Sequence, residues 1–231
     1  HIFAREDIVP AVVEGDSYHR FERMPMKKAM AEALSKGENF SHFGPEANLF
    51  DKLEELFKIY GETGGGQKRY YLHSPEEADE HNTRIGTTLE PGQFTPWEDI
   101  PEGTDVLFYE GLHGGVEGEG YNVASYADLL VGVVPITNLE WIQKIHRDNA
   151  ERGYSAETIV DTILRRMPDY INHICPQFSK TDINFQRIPT IDTSNPFICR
   201  NIPTPDESFV IIHFRKGARE KWGIDFQYLL G

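Results

Sequence analysis

Two acids stand where apolar runs end, and each has a glycine beside it: Asp16 in "VVEGD" and Glu110 in "LFYEG". Carboxylates at strand exits suit chemistry in which one accepts a proton from a hydroxyl group. A second would then sit with a divalent cation, as phosphoryl transfer requires. The bland alternative is that each acid caps the turn that follows it. Directly after Asp16 come His19, Arg20 and Arg23, a group able to hold a phosphate through charge-assisted hydrogen bonds. A solvated charged turn is the alternative there.

Further along, Lys144, Arg147, Asp148 and Arg152 fall at i, i+3, i+4 and i+8, on one side of a helix. They read either as a surface ion-pair face around Asp148 or as cations brought to a transferring phosphoryl group. Arg165 and Arg166 come near the end of the next helix, where cations also favour the helix dipole. "GETGGGQK", residues 61–68, imitates a phosphate loop, but Gln67 separates the glycines from Lys68 and no hydroxyl residue follows. It reads as a turn. His113 and the other histidines lack metal-ligand spacing such as HExxH.

These residues need a scaffold of strands and helices in alternation. "VPAVVEGD", "DVLFYEGLHGG" and "DLLVGVVPI" read as buried strands, and "KRYYLH", "INFQRIPTID" and "FVIIHFR" as further strands. "MKKAMAEALSKGE" and "NLFDKLEELFKIYGETGGG" read as helices closed by glycine. Asn138 and Ser155 look like the caps of two more. Residues 74–104 read as a long acidic loop with local strand pairing. "HIFAREDI" reads as the back half of an amphipathic helix with Ile2, Phe3 and Ile8 inward, which points to an incomplete start. The whole is α/β, one domain with a mainly parallel sheet and antiparallel additions.

Composition narrows the partners. The chain has 231 residues, 39% apolar, and a net charge of −14, which argues against nucleic acid or a membrane surface as the main partner. Two cysteines, Cys175 and Cys199, are too few for a disulfide scaffold and fit a reducing cytoplasm. No run of apolar residues is long enough to span a bilayer.

"VEGDSYHRFER", "FSHFGPEANLFDKLEELFKIYGETG", "LFYEGLHGG", "NLEWIQKIHRDNAERGYS" and "PQFSKTDINFQRIPTIDTSNPFI" together resemble phosphoribulokinases of the bacterial type, in order and along essentially the whole chain. The resemblance implies a P-loop kinase fold like that of nucleoside monophosphate kinases. It also implies transfer of the ATP γ-phosphoryl group to the 1-hydroxyl of ribulose 5-phosphate, giving ribulose 1,5-bisphosphate for the Calvin cycle.

It places the catalytic base on Asp16 and the Mg²⁺-partner acid on Glu110, with Asp16 also at the metal. The sugar-phosphate contacts fall on His19, Arg23, Tyr71, His73 and Arg152, with Arg20 adjacent. Lys144 and Arg147 would steady the transferring phosphoryl group, and Arg165 and Arg166 would be lid arginines for the nucleotide. A homo-octamer activated by NADH is the accompanying expectation. Thiol control is not expected, since no cysteine lies near Asp16.

The family's opening strand and glycine-serine phosphate loop have no counterpart here, nor has its closing strand and helix. The 231 residues alone are therefore expected to be inactive. A uridine-type kinase on the same fold, or a non-catalytic partner subunit, are the competing readings. A phosphate-binding cluster of His19, Arg23 and His73 speaks against the first.

Overall fold

Strand and helix alternate from the start of the chain. A computed structural model describes residues 2–134, 136–153, 155–225 and 227, without the side chains of Glu151, Arg152 and Arg219. In order they form α1 (Ile2–Arg5), β1 (Pro10–Glu14), α2 (Arg23–Ser35), α3 (Phe50–Thr63), β2 (Gln67–Lys68), α4 (Pro75–Ile85), β3 (Glu98–Asp99) and β4 (Val106–Glu110). Then follow β5 (Glu117–Gly118), β6 (Tyr121–Asn122), β7 (Val131–Val133), α5 (Thr137–Arg152), α6 (Ala156–Asp169), β8 (Ile183–Pro189), β9 (Ser208–Phe214) and α7 (Ala218–Trp222). Two units emerge, His1–Asp128 and Leu129–Gly231.

In the first unit β1 and β4 run parallel, with Glu14 opposite Glu110 at their C-terminal ends. The β1 run, expected to be buried, is buried on one face: Ala11 and Val13 are covered while Val12 is 43% exposed. Period-two alternation thus sets the face that packs. Against it lies α3, whose Phe50, Leu53, Leu56 and Phe57 return at helical spacing and are buried. Leu53 is fully enclosed, so truncating it to alanine would cost about 2–5 kcal/mol. The helix ends at Gly64 in the left-handed region, φ 72°, confirming "GETGGGQK" as the end of a helix and a turn.

Three expectations are corrected here. Residues 74–104 contain a full helix, α4, rather than only a loop. Ser74 Oγ accepts from Glu77 N at 3.2 Å, Pro75 opens the first turn, and Gly86 closes the last. The pattern Ser-Pro-Glu-Glu carried that signal. Of "KRYYLH" only Lys68 lies in a strand, at the end of β2; Tyr71 forms an isolated bridge to Phe94. Ile2 does not face inward but is 70% exposed, although Phe3 packs edge-on to Phe108.

The second unit has β7 parallel to β8 and β8 antiparallel to β9. β7 is not the buried strand its composition suggests, for Val133 is 76% exposed. Helices α5 and α6 pack on each other, and Leu139 and Ile142 of the first and Ile159 and Ile163 of the second are buried. Ser155 caps α6 by accepting from Thr158 N. Asn138 does not cap α5; it lies within that helix and donates to Thr193 O at 2.9 Å. Pro168, lacking an N–H, breaks the regular ladder of α6, and a π-helical turn follows at Tyr170–Ile174. Among the described residues, no helix is long and apolar enough to cross a membrane.

Candidate functional site

Asp16 lies in a tight 3₁₀ turn, Gly15–Tyr18, immediately beyond β1. The turn can form only because two glycines meet there. A Cβ on Gly15 would come 2.6 Å from Tyr109 Oη and 2.8 Å from the Cα of Gly111. A Cβ on Gly111 would come 2.7 Å from the Cα of Gly15. Neither glycine is in the left-handed region, so the requirement is room rather than backbone freedom. This close approach sets Asp16 and Glu110 at the ends of paired strands, where ligands bind in open α/β sheets.

Three imidazoles surround the Asp16 carboxylate. His19 Nε2 is 3.4 Å from Oδ1 and His73 Nε2 is 3.7 Å from Oδ2, while the ring of His42 packs 4.9 Å from that of His19. The hydrogen bond from His19, then the charges of His19, His73 and His42, hold the Asp16 carboxyl below its ordinary pKa against the opposing effect of burial. Its side chain is 48% exposed, so it remains an ionised acceptor open to a ligand.

Tyr71 joins the same cluster, edge-on to His73 and His19, with the Arg23 guanidinium 5.9 Å from its ring centre. Arg23 also reaches the His73 carbonyl at 3.3 Å. Thus Asp16, His19, Arg23, Tyr71 and His73, picked from separate parts of the sequence, are brought together. Arg20 is spent differently: its guanidinium donates to the carbonyls of Pro45 and Asn48 and pins the loop before α3.

Besides His42, two residues of this centre escaped the sequence reading. Arg69 donates through Nε to Ser17 O at 2.8 Å and through a terminal nitrogen to His19 O at 2.7 Å. Its guanidinium lies over Phe94 and Trp97, 3.6 and 4.6 Å from the ring centres. Burial lowers its pKa to about 10, still leaving it charged at neutrality. An arginine beside an aromatic-rich stretch was the available signal. The other is Asn48, only 1% exposed, whose Oδ1 is 2.8 Å from His19 Nδ1. Just behind the glycine pair, His113 is buried against Phe50, and desolvation lowers its pKa to about 3, so it stays neutral.

In the second unit, Lys144 Nζ and Arg147 Nε share the buried carboxylate of Asp148 at 2.6 and 3.2 Å. Desolvation opposes the charge on Asp148, but the two cations prevail and its pKa is lowered. Both the ion-pair face and the alignment of two cations on one helix are therefore present. Arg152 ends α5 with its side chain outside the described residues. Arg165 is exposed and Arg166 half-buried in the later turns of α6.

Comparison with known proteins follows the same lines. The sequence profile of the phosphoribulokinase / uridine kinase family matches residues 1–194. The chain is 61% identical over 231 residues to the chromosomal phosphoribulokinase of Cupriavidus necator, covering all of this chain and 76% of that protein. It is 58% identical over 230 residues to the phosphoribulokinase of Nitrobacter vulgaris, covering 99% of this chain and 76% of that one. The solved phosphoribulokinase structure from Rhodobacter spheroides superimposes with a TM-score of 0.84 at 52% identity, over 99% of this chain and 76% of that chain.

Proposed function

The chain belongs to the phosphoribulokinase / uridine kinase family, and from that membership we propose that it transfers the γ-phosphoryl group of ATP to the 1-hydroxyl of ribulose 5-phosphate, with Asp16 as the general base. The product is ribulose 1,5-bisphosphate, the carbon dioxide acceptor of the Calvin cycle. The observation that carries the role of Asp16 is its ionised, half-exposed carboxylate, held between His19 and His73 at a strand exit.

In the reaction the hydroxyl proton passes to Asp16 as the sugar oxygen attacks the γ-phosphorus. The bond to the β–γ bridging oxygen breaks and ADP leaves. Arg23, His19, His73 and Tyr71 form the cluster suited to the sugar phosphate. Lys144 and Arg147 would steady charge on the transferring group, and Arg152, Arg165 and Arg166 extend the same cationic reading to substrate and nucleotide.

A divalent cation fits the donor set. Asp16 and Glu110 offer hard carboxylate oxygens, and Mg²⁺ takes one or two carboxylates together with substrate phosphates rather than a full protein cage. Among the described residues there is no cluster of three His, Cys, Asp or Glu side chains that could hold a metal ion. Asp16 and Glu110 would hold the ion, which would supply neutralisation of the charge on the transferring phosphoryl group. The family resemblance extends the proposal to a cytoplasmic homo-octamer activated by NADH.

Replacing Asp16 by asparagine in the full chain tests the assignment. Turnover should fall roughly 10²–10⁴-fold, the usual contribution of a positioned base, with the circular dichroism unchanged. A variant keeping more than half of kcat would move the base elsewhere.

A further inference from the structure

The backbone from Asp16 to His19 offers four carbonyl oxygens, and each has a donor. Asp16 O accepts from His19 N at 3.2 Å, and Tyr18 O accepts from Leu49 N at 2.8 Å. The other two, Ser17 O and His19 O, are both reached by the side chain of Arg69, through Nε at 2.8 Å and a terminal nitrogen at 2.7 Å. One planar group thus grips the chain on the far side of Asp16 at two points. A guanidinium presents two donors on a rigid edge, whereas a lysine ammonium is a single point on a flexible stem.

The fork is itself held in place. The Arg69 guanidinium lies over Phe94 and Trp97. The next residue is tied to the same stretch, since Tyr70 N donates to Thr95 Oγ1 and Thr95 N to Tyr70 O, both at 2.9 Å. Phe94 and Thr95 are buried, so the platform under the arginine is part of the packed interior. On the near side of Asp16 the turn is fixed by the approach of Gly15 to Gly111, and Ser17 Oγ donates back to Glu14 O at 2.5 Å.

We propose that Arg69 is a positioning residue for the phosphoryl transfer: by gripping Ser17 O and His19 O, it holds the turn that aims the Asp16 carboxylate at the substrate hydroxyl. The inference rests on Asp16 being the base. Arg69 acts through the backbone and takes no part in the proton transfer itself. Without it two carbonyls lose their donors, and a turn of only four residues is left anchored mainly at its β1 end. A reacting group displaced by about 1 Å loses roughly 10²-fold in rate.

A double-mutant cycle of Arg69→Met with Asp16→Asn in the full chain tests this, at a temperature where circular dichroism shows every variant folded. Methionine keeps an apolar stem over the two rings and removes the fork. Alone it should lower kcat roughly ten- to hundredfold, with little change in the KM for ATP. Added to Asp16→Asn it should lower the residual rate far less, because a group that acts through Asp16 has nothing left to position. Arg69→Lys, able to reach one carbonyl, should fall between wild type and the methionine variant. Equal losses from Arg69→Met with and without Asp16 would overturn the inference. So would full kcat in a folded Arg69→Met protein, or a raised KM for ribulose 5-phosphate with kcat kept, which would make Arg69 a substrate contact. If the methionine variant does not fold, the lysine variant carries the same cycle. Asp16→Asn alone reports on the base assignment, so failure of that reading shows in the single variant and failure of this one in the cycle.

Discussion

Asp16, the proposed general base, is half in water, and its nearest charged neighbours are imidazoles. Its depressed pKa has a definite sign in linkage. The stabilisation it gives the folded protein is present above the unfolded value and is lost as pH falls through the lower folded value. Imidazoles are charged only on the acid side of neutrality, so their influence is felt there. His73→Ala removes one of the three charges and should let the Asp16 pKa rise. The acid limb of kcat/KM should then move to higher pH, and a profile superimposable on wild type would exclude His73 from this role. The sequence showed the ingredients, Asp16 and the cations after it, because they are neighbours in the chain. The tie between His19 and Asn48 was invisible, since the 29-residue separation is bridged only once α3 has packed on β1.

At the scale of elements, the turn carrying Asp16 is clamped from two sides. Gly15→Ala would force Cβ into the backbone of Gly111, and the ends of β1 and β4 would have to part. Overpacking of this kind costs about 1–3 kcal/mol; chemical denaturation should show a lower midpoint, and an unchanged midpoint would mean that the strand ends yield freely. On the other side, Arg69 holds Ser17 O and His19 O. Loss of a hydrogen bond to a charged group costs about 1.5–3 kcal/mol, so Arg69→Met should lower stability and kcat together. Loss of stability alone would confine Arg69 to scaffolding. Strands β1, β4, β8 and β9 were legible because β-branched runs bounded by polar residues leave little choice of conformation. α4 was overlooked because its acidic surface lacks an apolar stripe beyond Ala78, so the cap at Ser74 was the informative feature. The exposure of Val12 and Val133 shows the limit of composition: a valine run specifies a strand, but not how many of its faces are covered.

For the whole molecule, the net charge of −14 sets a long-range field that repels both anionic substrates, while the cations proposed to receive them would act at contact distance. Salt near 0.15 M has a Debye length of about 8 Å; it screens the distant acids more than it screens the contacts. Raising ionic strength from low values to this range should leave kcat/KM for ribulose 5-phosphate level or higher, and a steep fall would show that steering by positive charge dominates instead. The buried bond between His19 and Asn48 has a thermodynamic consequence at this scale. The loop of residues 42–48 cannot swing out while His19 stays at Asp16, so the surface segment and the reactive centre share one opening equilibrium. If turnover requires that loop closed, the closed fraction scales the rate of the chemical step. Amide exchange in the loop would thus count, molecule by molecule, how much of the protein is poised to turn over.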